Sequence, residues 1–226
     1  ILGLLSRQPK YKFFEIFQTF YIRIFFRFID KFIFLSEGEY NLAMKKYPDF
    51  KKKYYLLPFA IDLDMWKFNS SKNKSNKILF VGNDGFRDFA LAEKLSFELP
   101  EFEFVYVSQN IDDEKINASN SIIKKGSWGD PFLSDEELRS QYYDAFLTII
   151  PLKDSYQPSG QSVALQSLAC GTPVLITPTV GFWDSKNLKE EENIFFSESS
   201  QLVDWKIKIE YIYSLNNSEI DNIIKK

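Results

Sequence analysis

The chain has 226 residues, of which 45% are hydrophobic and 26% are charged, so it is too apolar for a disordered chain and too charged for an integral membrane protein. Its 28 Lys and Arg against 31 Asp and Glu give a net charge of -3, which argues against a generally basic nucleic-acid binder. Histidine is absent and Cys170 is the only cysteine. A Ser-His-Asp triad, histidine metal ligands, an intramolecular disulfide and a multi-cysteine zinc site are therefore excluded within this chain.

The longest apolar stretch, residues 13–35, has the pattern of an amphipathic helix. Charged residues interrupt it too often for a membrane-spanning helix. Glu15, Thr19, Arg23 and Arg27 recur every fourth residue as a polar stripe, and the rest is mostly Phe, Ile and Tyr. One interpretation is a basic amphipathic helix at a membrane surface. The favoured interpretation is a helix whose apolar face packs on a sheet while its polar stripe faces water. The pattern of a secretory signal peptide is not visible.

A strand, a helix and a second strand follow in the first part of the chain. The apolar run 32–35 predicts a strand, and Ser36 followed by Glu39 predicts a capping box that starts a helix over about 37–46. Residues 54–57 predict another strand. The polar segment 67–77 has no periodicity and predicts a linker between two domains.

Strands and helices alternate in the second part, which begins with an apolar run ending in Gly82. Ser134 and Glu137 predict a second capping box. The predicted strands are at 77–82, 102–107, 146–150, 174–176 and 194–196, with an apolar pair at 122–123. The predicted helices are at about 87–98, 134–145, 160–169, 200–214 and 218–226. This alternation indicates βαβ units and therefore an α/β fold with a parallel sheet.

The loop from Gly82 to Asp88 is the first candidate site, because ligands of open parallel sheets bind beyond the carboxyl ends of the strands. Its two glycines let the backbone approach a ligand closely. Arg87 stands where the next helix is predicted to begin, so its cation and the helix N-terminus can share a phosphate. A structural turn with a surface arginine is the alternative.

The loop after the predicted strand 146–150 is the second candidate. Its Pro-Ser-Gly-Gln-Ser segment, residues 158–162, opens a helix whose first-turn amides suit a diphosphate. Gln166 lies about two turns into that helix and can offer its amide to a ligand hydroxyl. Residues 177–183 form a third loop that lines the same crevice or is a plain Pro/Gly turn.

Residues 159–174 carry a family resemblance. Their sequence, Ser-Gly-Gln-Ser-Val-Ala-Leu-Gln-Ser-Leu-Ala-Cys-Gly-Thr-Pro-Val, resembles the retaining GT-B glycosyltransferases, which have a Glu, seven residues, a second Glu and then Ala-Met-Ala-Cys-Gly-x-Pro-Val. Residues 78–82 look like the strand and glycine that open the family's donor domain. Residues 32–36 look like one of the last strands of its acceptor domain, and 57–62 like its Pro-x-Gly-Ile-Asp crossover.

The resemblance implies a fold and a domain organisation. Residues 78–226 would form the Rossmann-like donor domain of a GT-B fold, after the linker 67–77. Residues 1–66 would be the C-terminal remnant of a first Rossmann-like domain, the acceptor domain. The missing part would hold most of the acceptor site. The absent histidine and the first residue Ile1 agree with an N-terminal truncation, so we expect this chain by itself not to turn over.

The resemblance also implies roles for individual residues. The backbone amides of Gln161 and Ser162 match those that hold the donor diphosphate, and Gln166 falls where the second Glu contacts the ribose. Arg87 would be the catalytic cation that stabilises the leaving diphosphate. The implied donor-binding residues are Gly82, Asn83, Arg87, Ser127, Trp128, Tyr156, Gln157, Ser159, Gly160, Gln161, Ser162 and Gln166.

The chain departs from the family pattern at both glutamates. Pro158 stands where the first Glu contacts the donor sugar and has no side-chain donor or acceptor, so Tyr156, Gln157 or Ser159 must make that contact. The neutral Gln166 can still bond ribose. Of the family's paired Arg and Lys only Arg87 survives, and residues 125–128 look like the region that contacts the base. These departures suggest a divergent branch.

The expected activity is transfer of a sugar from a nucleotide-diphosphate sugar to an acceptor hydroxyl, with retention and without a metal, in bacterial cell-surface polysaccharide or glycolipid synthesis. We expect no cofactor. Asp62-Leu63-Asp64 spells the Asp-x-Asp of metal-dependent transferases but stands in the crossover, away from the donor loops.

The expected partners are the nucleotide sugar and a glycan or lipid-linked acceptor, without nucleic acid. The expected location is the cytoplasm, with peripheral membrane contact left open. A non-catalytic nucleotide-sugar-binding module and a GT-B-like nucleotide-sugar epimerase are the alternatives. Such epimerases usually rely on carboxylates and histidines, and this chain lacks histidine.

Overall fold

The computed structural model of the chain describes residue 5 and residues 11–69, 75–111, 118–125 and 133–224. The chain divides into two compact units. The first unit comprises Ile1–Phe59, Asp154–Pro158 and Thr179–Ser185, and the second comprises Ala60–Lys153, Ser159–Pro178 and Lys186–Lys226. Among the described residues, no helix has both the length and the apolar character needed to cross a membrane.

The first unit holds a short parallel sheet with helices beside it. Its elements are α1 (Lys12–Arg27), β1 (Phe32–Phe34), α2 (Glu37–Lys46), a 3-10 helix (Pro48–Lys53) and β2 (Tyr54–Leu56). β1 pairs with β2 in parallel, with Phe32 opposite Tyr54. The predicted strands and the helix α2 are confirmed, whereas the sequence patterns did not indicate the 3-10 helix.

Aromatic rings form the core of the first unit. The ring of Phe26, fully buried in α1, lies 4.2 Å from the Phe32 ring and 5.2 Å from the Tyr47 ring. The Ser36 hydroxyl accepts a hydrogen bond from the Glu39 amide at 3.2 Å and caps α2 as predicted. At the end of α1, the Lys53 ammonium donates to the Phe26 carbonyl at 2.9 Å, which satisfies one of the last carbonyls of the helix.

α1 is helical as predicted, and it contacts the unit through the buried Ile22 and Phe26, while most of its other apolar residues are exposed. Arg23 pairs with Asp49 at 2.8 Å, and Thr19 hydrogen-bonds the hydroxyl of Tyr47. The exposed apolar residues are Phe13, Phe14, Ile16, Phe17, Phe20, Tyr21, Ile24, Phe25 and Phe28. The expectation of an apolar face packed on a sheet holds for Ile22 and Phe26, which are buried with Phe32 of β1, but most of the apolar face is exposed. The polar groups find partners within the unit, and the sheet formed by the unit's described residues has two strands, too few to cover so wide a face.

The second unit is a six-stranded parallel sheet flanked by helices. Its strands are β3 (Lys77–Val81), β4 (Glu103–Val107), β5 (Ser121–Lys124), β6 (Leu147–Ile150), β7 (Val174–Ile176) and β8 (Phe195–Phe196). Its helices are α3 (Phe89–Glu98), α4 (Asp135–Asp144), α5 (Gln161–Ala169), α6 (Leu202–Ser214) and α7 (Asn217–Ile224). The strand order is β5-β4-β3-β6-β7-β8, and every neighbouring pair is parallel. The predicted α/β fold with a parallel sheet is confirmed.

The sheet is covered on both faces, which explains why the sequences of these strands are continuous apolar runs. All four residues of β6 are buried, and Thr148 satisfies its hydroxyl by accepting a bond from Ser167 at 2.8 Å. Trp205 of α6 is fully buried in the core on the sheet. The predicted capping box of Ser134 and Glu137 is present at the start of α4.

The position of the crevice follows from the strand order. From β3 the chain passes to β4 on one side, and later to β6 on the other side of β3. The connections that leave the carboxyl ends of the neighbouring strands β3 and β6 therefore run to opposite sides of the sheet. Ligands of open α/β sheets bind at such a switch point.

Candidate functional site

Two loops meet at the switch point of the second unit, and a buried arginine lies between them. The first loop follows β3 and contains Gly82 and Arg87. The second follows β6 and ends in Ser159 and Gly160, where α5 begins. Arg87 is bridged to Leu152 of the second loop in an antiparallel pair, so the two loops are fixed to each other by backbone as well as by side chains.

Arg87 does not project into solvent. Its side chain is 3% exposed, its Nε donates to the Val81 carbonyl at 3.3 Å, and its Nη1 donates to the Ser159 hydroxyl at 2.8 Å. The carboxylate of Asp84 lies 3.4 Å from Nη1. Burial lowers the pKa of Arg87, and the charge of Asp84 acts in the opposite direction. α3 begins at Phe89, because the Asp88 carboxylate accepts from the Leu91 amide and caps the helix. Arg87 thus precedes the helix that was predicted to start with it.

Two glycines with positive φ make room for the guanidinium. Gly82 has φ +151°, and a Cβ built on it would lie 2.3 Å from Nε of Arg87. Gly160 has φ +82°, and a Cβ there would lie 2.8 Å from Cγ2 of Ile150 and 3.2 Å from Nη1 of Arg87. Both positions require glycine for conformation and for space. Of the two loop glycines that were expected to approach a ligand, Gly82 therefore helps to form the seat of Arg87, whereas a Cβ at Gly85 would meet no atom within 4 Å.

Ser159 and Gly160 lead into α5, whose first turn lies at the crevice. Gly160 occupies the N-cap position, and no side chain caps the helix. The bond from the Ala164 amide to the Gly160 carbonyl, at 2.9 Å, opens the intrahelical series. The first-turn amides, including those of Gln161 and Ser162, carry the positive end of the helix dipole and suit an anion. Ser162 is half-buried.

Gln166 lies farther along α5 and is oriented by a buried tyrosine. The Tyr142 hydroxyl of α4 donates to Oε1 of Gln166 at 3.1 Å. Burial raises the pKa of Tyr142, so this hydroxyl keeps its proton and donates it. With Oε1 engaged, Gln166 has its amide nitrogen as the group to offer a ligand hydroxyl.

Asn83 holds neighbouring loops together. Its Oδ1 accepts from the Ser108 hydroxyl at 3.0 Å and from the Gln109 amide at 2.6 Å, and its carbonyl accepts from the Asn110 side chain at 2.6 Å. These bonds fix the loop after β3 to the loop after β4. Asn83 thereby shapes the crevice from its base.

Four predicted residues are not among the described residues of the second unit. Tyr156 and Gln157 belong to the first unit, where Gly181 packs against their backbone and its amide donates to the Ser155 carbonyl at 2.7 Å. Ser127 and Trp128 lie outside the described residues. The third loop, residues 177–183, is split: its first two residues belong to the second unit, and the residues after Pro178 belong to the first.

The Asp-x-Asp segment forms a turn. Oδ1 of Asp62 accepts from the amides of Asp64 and Met65, at 2.8 and 3.3 Å. Within the part of the chain that the structure describes, no group of three or more Asp, Glu, Cys or His side chains is placed to hold a metal ion.

Sequence reasoning missed two residues of the site, Asp84 and Tyr142. Asp84 stands three residues before Arg87, a spacing typical of an ion pair, which is the signal that the sequence offered. Tyr142 carried no such signal, since its link to Gln166 joins two helices.

The chain was compared with protein families, curated proteins and solved structures. No family model and no curated protein matches it. Solved structures do match. Anabaena Alr3699/HepE, in complex with UDP and glucose, superposes with a TM-score of 0.71 at 11% sequence identity, over 93% of this chain and 61% of that one.

Two further structures have the same fold. A mutant of S. aureus TarM, in complex with fondaparinux, alpha-GlcNAc-glycerol and UDP, gives a TM-score of 0.69 at 12% identity, over 92% of this chain and 41% of that one. The catalytic domain of starch synthase IV from Arabidopsis thaliana, bound to ADP and acarbose, gives a TM-score of 0.63 at 11% identity, over 88% of this chain and 52% of that one. The chain therefore spans between 41% and 61% of the length of these three proteins. Its fold is the Rossmann-like α/β fold of GT-B glycosyltransferases, as the resemblance implied.

Proposed function

We propose that this chain is the nucleotide-sugar-binding part of an enzyme that transfers a sugar from a nucleotide-diphosphate sugar to an acceptor hydroxyl. The observation that carries the proposal is the seat of Arg87 between two positive-φ glycines, beside the first turn of α5, at the switch point of a parallel sheet. HepE and TarM, which share the fold, contain UDP in their structures.

The site offers positive charge where a transferred sugar leaves its diphosphate. The amides of Gln161 and Ser162 would bind the diphosphate, and Arg87 would add a guanidinium for the charge that develops as the glycosidic bond breaks. Fixed amides and a held cation need no reorganisation at that moment, so they supply the stabilisation that a metal gives in other transferases. The amide of Gln166 would bond the ribose. Retention of configuration and independence from metals rest on the sequence resemblance.

The setting of the reaction also rests on the resemblance. We place it on the cytoplasmic side of a bacterial membrane, in the synthesis of a cell-surface polysaccharide or glycolipid. The acceptor would be a glycan or a lipid-linked sugar, and no cofactor beyond the donor is invoked. Within the second unit, Ser159 would contact the sugar, in place of the family glutamate that Pro158 replaces.

Calorimetric titration of the folded protein with UDP, GDP and ADP tests the proposal. We expect saturable binding of one nucleotide. Arg87→Ala should weaken it about tenfold or more, since a hydrogen bond to a charged group contributes about 1.5–3 kcal/mol. Lys94→Ala, which removes an exposed cation from α3, should change the affinity less than about twofold. Circular dichroism confirms that each variant folds. Absence of binding for all three nucleotides by the folded wild type would overturn the proposal.

A binding module without transferase activity is the second candidate. The observation that favours it is Pro158, which cannot bond a sugar where the resemblance implies a carboxylate. A full-length version of the protein separates the two candidates. Transfer of label from a radioactive donor sugar supports the enzyme, while nucleotide binding without turnover, across a panel of acceptors, supports the module.

We also propose that α1 attaches the protein to the surface of an anionic membrane. Its exposed face presents aromatic and aliphatic side chains, including Phe13, Phe17 and Phe20, that are between 46% and 65% exposed. Residues 1–59 carry 11 Lys and Arg against five Asp and Glu, although the whole chain is acidic. An apolar helix face within a basic region is typical of helices that lie in the bilayer interface.

Co-sedimentation with vesicles of phosphatidylcholine and phosphatidylglycerol tests the attachment. We expect the protein to sediment with the vesicles at low salt, and the double variant Phe17→Ser/Phe20→Ser to remain in the supernatant. The control Val203→Ser/Ile207→Ser removes two exposed apolar side chains from α6 of the second unit and should sediment as the wild type does. A wild type that stays in the supernatant, or that buries α1 in a dimer detected by light scattering, would refute the attachment.

A further inference from the structure

The carboxylate of Asp84 lies beside the buried guanidinium of Arg87, with Oδ2 at 3.4 Å from Nη1. Arg87 and Ser159 are buried, whereas the side chain of Asp84 is 42% exposed. Asp84 is therefore the member of this cluster on the solvent side. A ligand that approaches the guanidinium of Arg87 from solvent meets this carboxylate.

Three hydrogen bonds define the cluster. The Ser159 hydroxyl accepts from Nη1 of Arg87 at 2.8 Å and donates to Oδ1 of Asp84 at 2.9 Å. The same Oδ1 accepts from the Phe86 amide at 3.0 Å, while Oδ2 lies 3.4 Å from Nη1 of Arg87. One carboxylate thus engages a guanidinium, a hydroxyl and a backbone amide, which are the donor types that bind phosphate oxygens.

We propose that Asp84 is an internal competitor for the donor diphosphate: its carboxylate holds Arg87 and Ser159 in place while the site is empty, and the diphosphate must displace it. This inference rests on the proposed function. A buried cation needs a counter-charge, which Asp84 supplies before the ligand arrives. A diphosphate beside a retained carboxylate would be repelled, because like charges at short range disfavour each other. Asp84 therefore lowers affinity and selects for ligands with enough negative charge to replace it.

Asp84→Asn tests the inference with little change of shape. The amide retains an oxygen for the Phe86 amide but loses the negative charge. In calorimetry we expect the variant to bind the cognate nucleoside diphosphate at least about fivefold more tightly than wild type does. The increase in affinity should be smaller for the monophosphate and absent for the uncharged nucleoside. Without nucleotide, the melting temperature of the variant should be lower than that of wild type, because Arg87 loses its counter-charge. The diphosphate should raise the melting temperature of the variant by more than it raises that of wild type.

Glu101→Gln is the matched control. It removes the same charge from an exposed position just before β4, at the amino edge of the sheet, and should leave nucleotide affinity within about twofold of wild type. If Asp84→Asn does not fold, amide exchange of the unaltered protein by NMR takes its place. Displacement of Asp84 by the diphosphate should then speed exchange of the Phe86 amide while it slows exchange in the first turn of α5.

The outcomes separate this inference from the proposed function. If wild type binds a nucleotide and Asp84→Asn binds it equally or more weakly, the role of Asp84 is refuted while the donor site stands. In the exchange experiment, slower exchange of Phe86 on binding refutes it in the same way. If neither protein binds any of UDP, GDP and ADP, both proposals fail.

Discussion

Replacing Gly82 by alanine probes whether the seat of Arg87 depends on glycine. Gly82 has φ +151°, and its added Cβ would lie 2.3 Å from Nε of Arg87. A side chain in so sparsely populated a region of φ costs about 1–3 kcal/mol. The guanidinium must also move, which disturbs its bonds to the Val81 carbonyl and the Ser159 hydroxyl, and a bond of this charged kind contributes about 1.5–3 kcal/mol. Since the side chain relaxes in part, we expect the free energy of unfolding to fall by about 3 kcal/mol.

Gly85→Ala, in the same loop, is the control. A Cβ at Gly85 meets no atom within 4 Å, and Gly85 is not among the glycines with positive φ. The free energy of unfolding should therefore change by no more than about 0.5 kcal/mol. Urea unfolding followed by circular dichroism gives both values. A Gly82→Ala variant within about 0.5 kcal/mol of the Gly85→Ala variant would refute the reasoning about the seat.

Three further predictions concern stability. Trp205→Ala should cost about 3–5 kcal/mol because Trp205 is fully buried, whereas Val203→Ala, at an exposed position of the same helix, should cost less than about 0.5 kcal/mol in urea unfolding. Ser134→Ala should cost about 1 kcal/mol because it removes the capping box of α4, and an unchanged urea midpoint would contradict this. Burial raises the pKa of Tyr54 from 10.0 to about 12, so the folded protein keeps a proton that the unfolded chain releases, and stability should fall as the pH rises from about 10 toward 12. Tyr54→Phe should reduce that fall in urea midpoints measured across this pH range, and an equal fall in both proteins would contradict the assignment.

Secondary structure was predictable along most of the chain because its signals are local. The apolar run that became β3 and the capping box of Ser134 and Glu137 depend on residues a few positions apart. The start of α3 was two residues off because Asp88, one residue after Arg87, caps the helix. Capping motifs and apolar runs therefore predicted where each element lies. The exact first residue of a helix depended on which polar side chain bonds the first free amides.

The contacts that α1 makes with the rest of its unit could not be predicted from the local sequence pattern. Amphipathicity identified the helix and its two faces, but it could not tell how much of the apolar face the rest of the protein would cover. That extent depended on Tyr47 and Tyr54, which lie more than 20 residues away and whose rings contact the ring of Phe26. The contact was therefore a property of the folded unit.

Local sequence patterns were enough to predict the α/β fold, the parallel sheet and the two loops that carry Arg87 and Gly160, because hydrophobic period, caps and glycines act over short stretches of chain. Three features depend on the folded chain: Arg87 is buried, Ser159 bridges it to Asp84, and Tyr142 orients Gln166. Arg87 and Ser159 are 72 residues apart, and their contact exists because β3 and β6 are neighbours in the sheet. Strand order is a long-range property, set by how the apolar faces of all the elements pack together, so the chemistry of the site emerges at that level.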